Sequence, residues 1–443
     1  MKLIIQGRKP LKGEVIIRGA KNSGFKLMIA SLLGKTPTLL SNMTKAGETK
    51  ISFSIIKNLG GKIEFKGEHT VKIDPLGIKK SQIPFGVGKE SRASTLYIPA
   101  LLYHFGQAKV PWPGGDKIGL RPLDRHLEGM KKMGLEIKIE RDWLKVSVKS
   151  RPQATTYRFL KNTHTGTDTL LMLAAFAQGE TVLKNAALEP EVDDLIALLN
   201  KMGAKIKRVE PKTIIIKGVK KFKGTEHVVM SDRNEAVTFA CVALGTKGAI
   251  SIFNVRPNDL TAFLEKLEEV GGKIELGVNE IKVEYQRELK ATKVETQPHP
   301  GFMTDWQSLW LTLMTQARGK STVIERIYPS RFQAAHYLKQ MGARIRFFNP
   351  QVENPEKYYE FNPETDRKEY FHAAEILGPT KLKGAEVCAG DIRTGAALLL
   401  AALMAEGKTT ICEAEKVFRG YEILDLKIQN LGGNILRVKG KKC

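Results

Sequence analysis

Apolar residues along this chain follow two periods that take turns. Leu195, Leu198 and Leu199 keep the spacing of a half-buried helix, whereas Lys62-Ile63-Glu64-Phe65 alternates as a strand does. The switch from the first period to the second falls on a glycine in a recurring phrase, apolar–Gly–X–polar–Ile. The phrase occurs six times, with its glycine at Gly60, Gly134, Gly203, Gly271, Gly342 and Gly432; the first four intervals are nearly equal and the fifth is longer. A fixed long period means one supersecondary unit copied along the chain. Glycine at the junction is the expected left-handed end of a helix.

Upstream of each phrase lies a second helix that also ends at a glycine: Gly34, Gly106, Gly179, Gly248, Gly319 and Gly407. A β-rich run follows each, such as Thr181-Val182-Leu183. The unit is therefore helix, strand, helix, strand, with further strand material before the next copy. Counting back about four helical turns from these glycines reaches Lys21, Arg92, Thr165, Arg233, Asp305 and Arg393. The helices that begin there are largely apolar after their first turn, as in Thr394–Ala405, and are expected to be buried. A helix start offers unpaired N–H groups and a positive dipole end, which suits anions. Four of the six starts add Lys or Arg at that same end. The dipole alone disfavours a cation there, so the repeated register points to a ligand with more than one negative charge.

The spacing also says how the chain ends meet. The steps from phrase glycine to next helix start, Gly60 to Arg92, Gly134 to Thr165, Gly203 to Arg233 and Gly271 to Asp305, are nearly equal. After Gly432 the chain reaches only Cys443, well short of such a step, and the stretch from Met1 to Lys21 supplies the shortfall. The N-terminal segment is thus expected to complete the sixth copy. That predicts two three-repeat domains, residues 20–231 and residues 1–19 with 232–443, and a ligand cleft between them. The step from Gly342 to Arg393 is long, and its surplus falls in 349–383, rich in Pro, Glu and Tyr and read as a surface excursion.

Composition adds limits. A chain of 443 residues with 42% apolar content suits a globular protein with more than one core. Its longest wholly apolar run, Ala396–Ala405, is far short of a membrane span, and no charged-then-apolar leader opens it. A cytoplasmic protein is the expectation. Cys241, Cys388, Cys412 and Cys443 have no CxxC spacing or clustered histidines, so neither zinc nor a disulfide framework is indicated; Cys241 and Cys412 read as small core residues. The net charge of +24 suggests nucleic acid first. The lysines are dispersed, however, without a basic motif interleaved with aromatics. A solvated face with general attraction for anions is the favoured reading.

One segment lies off the repeat. Pro111-Trp112-Pro113-Gly114-Gly115-Asp116-Lys117-Ile118-Gly119-Leu120-Arg121-Pro122 cannot be helix interior and is long enough to act as a lid. Together with Gly19-Ala20-Lys21-Asn22-Ser23, Arg92-Ala93-Ser94, Arg121–His126, Pro298–Asp305, Asp391-Ile392-Arg393 and Arg419-Gly420-Tyr421-Glu422, it resembles the enolpyruvyl transferases, on their nucleotide-sugar branch. The resemblance covers the chain except 349–383. It implies an α/β fold of two inside-out, barrel-like domains, each of three β-α-β-α-β units. It also implies transfer of enolpyruvyl from phosphoenolpyruvate to the 3′-hydroxyl of UDP-N-acetylglucosamine with release of phosphate, the first committed step towards peptidoglycan, without metal or organic cofactor.

The same resemblance implies roles. Lys21, Arg121, Arg393 and Arg419, with Arg92 nearby, would hold the phosphate and carboxylate of phosphoenolpyruvate, arginine being suited by its planar fork. Asp305 would be the base for the sugar hydroxyl, Asp116 the acid on the lid, and Asp391 a further catalytic residue. Asn22, Arg121, Pro122, Leu123, Asp124, His126, Lys161, His164, Thr165 and Gly166 would bind the nucleotide sugar, with Thr304, Ile327 and Arg331 as further substrate-binding positions. Asp116 stands where the commonest pattern has cysteine, which predicts resistance to thiol-alkylating epoxides. Phe418, Ser231 and His164 depart from the family's usual aspartate, proline and serine. The rivals are the same chemistry on shikimate 3-phosphate or a modified nucleotide sugar, and a non-catalytic anion- or RNA-binding protein on this fold. The oligomeric state is not legible.

Overall fold

The computed structural model of the chain describes residues 1–114 and 123–440. Among the described residues six helices lie inside: α1 (Lys21–Ser31), α2 (Ile98–Phe105), α3 (His164–Ala174), α4 (Arg233–Gly245), α5 (Thr304–Met314) and α6 (Ile392–Met404). Every residue of α6 is buried, as expected of a helix apolar on all sides. Five start within a residue of the position that the glycine register predicts. In the second copy, Ser91 caps a 3₁₀ turn over Arg92–Tyr97, and the α-helix begins at Ile98 with Pro99 in its first turn.

The second helix of each copy is amphipathic, for example Gly47–Leu59 and Pro190–Lys201. It ends where the phrase glycine takes a left-handed conformation, with φ between 79° and 106° in all six. A side chain is disfavoured there, which explains why the phrase keeps its glycine.

Among the described residues the strands form six sheets, five of four strands and one of three. One face of each packs on the helices, so buried and half-buried positions alternate, as in Thr70–Asp74 and Ala249–Phe253. In the first copy, Thr38–Ser41 runs parallel to Glu226–Val228 and antiparallel to Thr70–Asp74, which also pairs with Lys62–Gly67. In the sixth copy the middle strand is Lys2–Gln6, inserted between Lys408–Cys412 and Asn434–Val438. The N-terminal segment also does what the spacing did not predict: Lys12–Ile16 pairs with Ala249–Phe253 in the fourth copy.

Two compact units result, one comprising Met1–Arg18 and the chain from Ser231, the other the described residues between Gly19 and Met230. Each has its own hydrophobic core. Two sequence expectations need correction. The stretch 349–383 contains a regular sheet strand, Ala373–Gly378, paired with Gly319–Ile324 and Arg344–Phe348, so the material off the repeat is 349–372. Cys412 is buried as expected but is disulfide-bonded, where no disulfide was indicated. Cys241 is a buried free thiol whose pKa burial pushes up. Among the described residues no helix is long and apolar enough to cross a membrane, and no cluster of ligands suits a metal ion.

Candidate active site

In the unit built on α1, α2 and α3, several of the residues expected to bind substrate lie at or beside helix starts. Lys21 and Asn22 open α1, which Ala20 precedes without a side-chain cap. Arg92 opens the 3₁₀ turn, and Ser91 before it bonds the buried carboxylate of Glu48. At α3, Thr163 Oγ1 accepts from Gly166 N at 3.2 Å. A Cβ on Gly166 would lie 2.5 Å from Thr163 Cγ2, so only glycine fits beneath this cap. Thr165 Oγ1 is 3.0 Å from Nε2 of the buried His126, and Arg125 donates to Asn162 O at 2.9 Å. These two contacts dock the helix Asp124–Lys132 onto the approach to α3, where Lys161 lies half-buried. Asp124 is exposed at that helix's start, whereas Leu123 puts its side chain into the core. Asp116, Arg121 and Pro122 lie outside the described residues.

One charged cluster here was not foreseen. Lys26, in the second turn of α1, pairs with Asp168 of α3 at 2.6 Å, both fully buried. Burial raises the Asp168 carboxyl to about 6, and Lys26 limits the rise. The same ammonium is 2.5 Å from Nε2 of His164, so the residue that departs from the family's serine is held by this pair. Charges within helices expected to be buried were the available signal.

In the other unit, α4, α5 and α6 pack on one another, and the starts of α5 and α6 meet. Asp305 Oδ1 accepts from Arg393 Nε at 3.1 Å and lies 3.4 Å from a terminal nitrogen of Arg331. Burial works against the Arg393 charge, but Asp305 and Tyr421 beside it leave the guanidinium's pKa raised. The Arg393 fork also reaches Tyr421 Oη at 3.4 Å, and that hydroxyl is 2.8 Å from Thr238 Oγ1 of α4. Thr304 Oγ1, next to Asp305, donates to Glu325 Oε2 at 2.9 Å. The other oxygen of this buried carboxylate accepts from Ile327 N at 2.8 Å and Tyr328 N at 3.1 Å. Thr304, Asp305, Ile327 and Arg331 are thereby fastened together. Burial raises the Glu325 carboxyl, and the Ile327 amide opposes that.

Arg419 ends the 3₁₀ turn Ala414–Arg419 and is half-buried. A Cβ on Gly420 would lie 2.5 Å from Ile392 Cγ2, so this turn rests directly on the first residue of α6. Asp391, expected to be catalytic, caps α6. Its Oδ1 accepts from Arg393 N at 2.9 Å and Thr394 N at 3.2 Å, and its Oδ2 from Thr394 Oγ1 at 2.5 Å. The departure at Phe418 also has an account, since the Arg437 guanidinium covers its ring at 4.0 Å.

Residues 5–426 match the family described as EPSP synthase (3-phosphoshikimate 1-carboxyvinyltransferase). This chain belongs to the EPSP synthase family. Among its relatives, the UDP-N-acetylglucosamine 1-carboxyvinyltransferase of Hydrogenovibrio crunogenus is 37% identical over 98% of this chain and 99% of that protein. UDP-N-acetylglucosamine 1-carboxyvinyltransferase 3 of Caldanaerobacter subterraneus subsp. tengcongensis is 38% identical over 99% of both. Among solved structures, the enolpyruvyl transferase NikO from Streptomyces tendae superposes with a TM-score of 0.85 over 98% of each chain at 22% identity. EPSP synthase from Acinetobacter baumannii does so at 0.72 over 98% of this chain and 99% of that one, at 18% identity. These two likenesses bear on the fold: the α/β architecture expected from the repeats is that of the EPSP synthase family.

Proposed function

We propose that this chain transfers the enolpyruvyl group of phosphoenolpyruvate to the 3′-hydroxyl of UDP-N-acetylglucosamine, releasing phosphate. The observation that carries the reading is the full-length likeness to relatives of that name at 37% and 38% identity. The site geometry supports it. Asp305 is held between two arginines at 3.1 and 3.4 Å, at a helix start, which fixes the position of the carboxylate proposed as the base.

In the addition step the 3′-oxygen bonds to C2 of phosphoenolpyruvate, its proton passes to Asp305, and C3 gains a proton from the acid expected at Asp116. In the elimination step C3 loses a proton and the bond from C2 to the phosphate oxygen breaks. Lys21, Arg121, Arg393 and Arg419 neutralise phosphate and carboxylate, with Arg92 nearby. Asn22, His126, Lys161, His164, Thr165 and Gly166 serve the nucleotide sugar. Asp391 acts on Arg393 through the cap of α6. A cytoplasmic enzyme of peptidoglycan synthesis follows from this reading.

The match to the family described by 3-phosphoshikimate keeps one rival in play. Phosphate release from phosphoenolpyruvate is measured with UDP-N-acetylglucosamine and, in parallel, with shikimate 3-phosphate. Turnover with the nucleotide sugar alone is expected. Release only with shikimate 3-phosphate, or with neither, refutes the proposal.

A further inference from the structure

The segment 349–372 is a hairpin connection out of all proportion to its counterparts. Strands Arg344–Phe348 and Ala373–Gly378 pair as a hairpin, with Phe348 opposite Ala373. In the first, second and third copies the corresponding strands end at Gly67, Glu140 and Glu210 and resume at Thr70, Trp143 and Thr213, so each connection is a tight turn. In the fifth copy it runs all the way from 349 to 372. An excursion of that length at a hairpin tip would ordinarily stand in solvent. This one is pinned at three points while much of it, including 353–357 and 367–369, stays exposed: Tyr359, Phe361 and His372 are buried and mutually packed at ring distances of 4.8, 4.9 and 5.2 Å.

What it folds onto is the loop that follows Gly319–Ile324. Arg326 Nε and one terminal nitrogen donate to Tyr358 O at 2.9 and 2.7 Å, while the guanidinium lies 4.2 Å from the Tyr358 ring centre. Glu360 N donates back to Arg326 O at 2.7 Å, and Glu325 N donates to His372 O at 2.7 Å. Tyr358 Oη also donates to Glu295 Oε2 at 3.1 Å. Both residues gripped by the segment, Glu325 and Arg326, lead directly into Ile327–Arg331. Glu325 is also the carboxylate that bonds Ile327 N, Tyr328 N and Thr304 Oγ1.

We infer that residues 349–372 are a brace that sets the 325–331 loop, and through it Arg331 and Asp305, with Arg326 and Tyr358 as positioning residues for binding of the acceptor sugar. This rests on the proposed transferase reading for what the loop binds, but the brace itself rests on the contacts above. An extended two-point grip orders a loop that would otherwise sample many conformations, and that ordering is what a binding loop needs.

The test compares Arg326→Ala, Tyr358→Ala and Tyr358→Phe with the parent chain. Amide hydrogen exchange at Ile327 and Tyr328 is expected to rise at least about tenfold in both alanine variants. Tyr358→Phe keeps the ring and the main-chain bonds and should stay within about twofold. In steady-state assays the KM for UDP-N-acetylglucosamine should rise about five- to tenfold in the alanine variants, with the KM for phosphoenolpyruvate within about twofold. Tyr358→Phe should restore both. Should Arg326→Ala fail to fold, Tyr358→Ala, which leaves every main-chain bond available, still decides. Unchanged exchange overturns the brace, and raised exchange with both KM values unchanged overturns its link to the site. A parent chain that releases no phosphate refutes the transferase reading instead, while exchange still decides the brace.

Discussion

Asp391 offers the sharpest test, because the family resemblance and the geometry assign it different work. Its Oδ1 accepts from Arg393 N and Thr394 N at 2.9 and 3.2 Å and its Oδ2 from the Thr394 hydroxyl, at a site 4% exposed. Replacing it by alanine removes a helix cap and leaves buried donors without an acceptor. Cap loss costs about 0.5–2 kcal/mol, and burial places this case near the top, at about 2 kcal/mol. At roughly 2–4 °C per kcal/mol for a body of this size, the melting temperature should fall by about 4–8 °C. Asparagine is as good a cap as aspartate: its Oδ1 can keep both main-chain bonds, and the Thr394 hydroxyl can turn to accept from Nδ2. Only the favourable charge at the helix start is lost, about 0.3–1 kcal/mol. Asp391→Asn should therefore melt within about 4 °C of the parent and retain turnover within about tenfold. Were Asp391 the carboxylate that moves a proton, asparagine would cost about 10²–10⁴ in rate. Thermal melts and phosphate release on both variants decide the matter. A loss above a hundredfold in Asp391→Asn, with an unchanged melting temperature, refutes the capping role.

Three further outcomes are expected. Glu235 is buried against Lys427 at 2.7 Å, and burial raises its carboxyl to about 7 while Lys427 opposes the rise. The folded state then holds a proton that the unfolded state has lost, so stability falls as pH rises from about 4.5 to about 7; in Glu235→Gln melts across that window should show a shallower slope. Gly420→Ala puts a Cβ 2.5 Å from Ile392 Cγ2 and should displace Arg419, raising the KM for phosphoenolpyruvate at least about fivefold. An equal rise in both KM values would contradict that placement. With aspartate at 116 in place of a thiol, incubation with a thiol-alkylating epoxide should leave activity unchanged with time; progressive inactivation would show another residue to be the target.

The repeat was legible because each glycine phrase reports a local event, a helix ending in the left-handed conformation, that needs no tertiary information. Helix starts followed from counting back, and so did the place of Lys2–Gln6 in the sixth sheet. Pairing between distant segments did not follow. Spacing orders the elements along the chain but does not say that Lys12–Ile16 joins Ala249–Phe253. The Lys26–Asp168 pair was half visible, as charges within two helices expected to be buried, but its ends are too far apart in sequence to be joined by pattern alone. At Asp391 two signals coincide. Asp-Ile-Arg-Thr ahead of a long apolar run is an N-cap signal on its face, and it stands beside the catalytic role that the resemblance implies. In 349–372, composition rich in Pro, Glu and Tyr reads as solvent-facing, yet the three rings that hold it down are a small part of that composition.

The charge of +24 finds part of its account at the opposite ends of the buried helices. Each buried helix directs last-turn carbonyls and a negative dipole end away from its ligand-facing start. Beyond α3, Arg151 donates to Phe176 O and Ala177 O, both at 2.7 Å, and to Val219 O at 3.0 Å. His104 Nε2 lies 2.6 Å from Leu32 O, just beyond α1, and burial lowers its pKa, so it meets that carbonyl chiefly as a neutral donor. Lys35 follows α1, Lys247 follows α4, Arg318 follows α5 and Lys408 follows α6. Buried helices of this kind have two uses for cations: at the starts, where they oppose the dipole and call for an anionic ligand, and at the ends, where they complement it. The second use needs no polyanionic partner, so a basic composition is compatible with a small-molecule enzyme. That weakens the inference from net charge to nucleic acid, and it leaves the cations at helix starts, Lys21, Arg92, Arg233 and Arg393, as the ones that the proposed anionic substrate would explain.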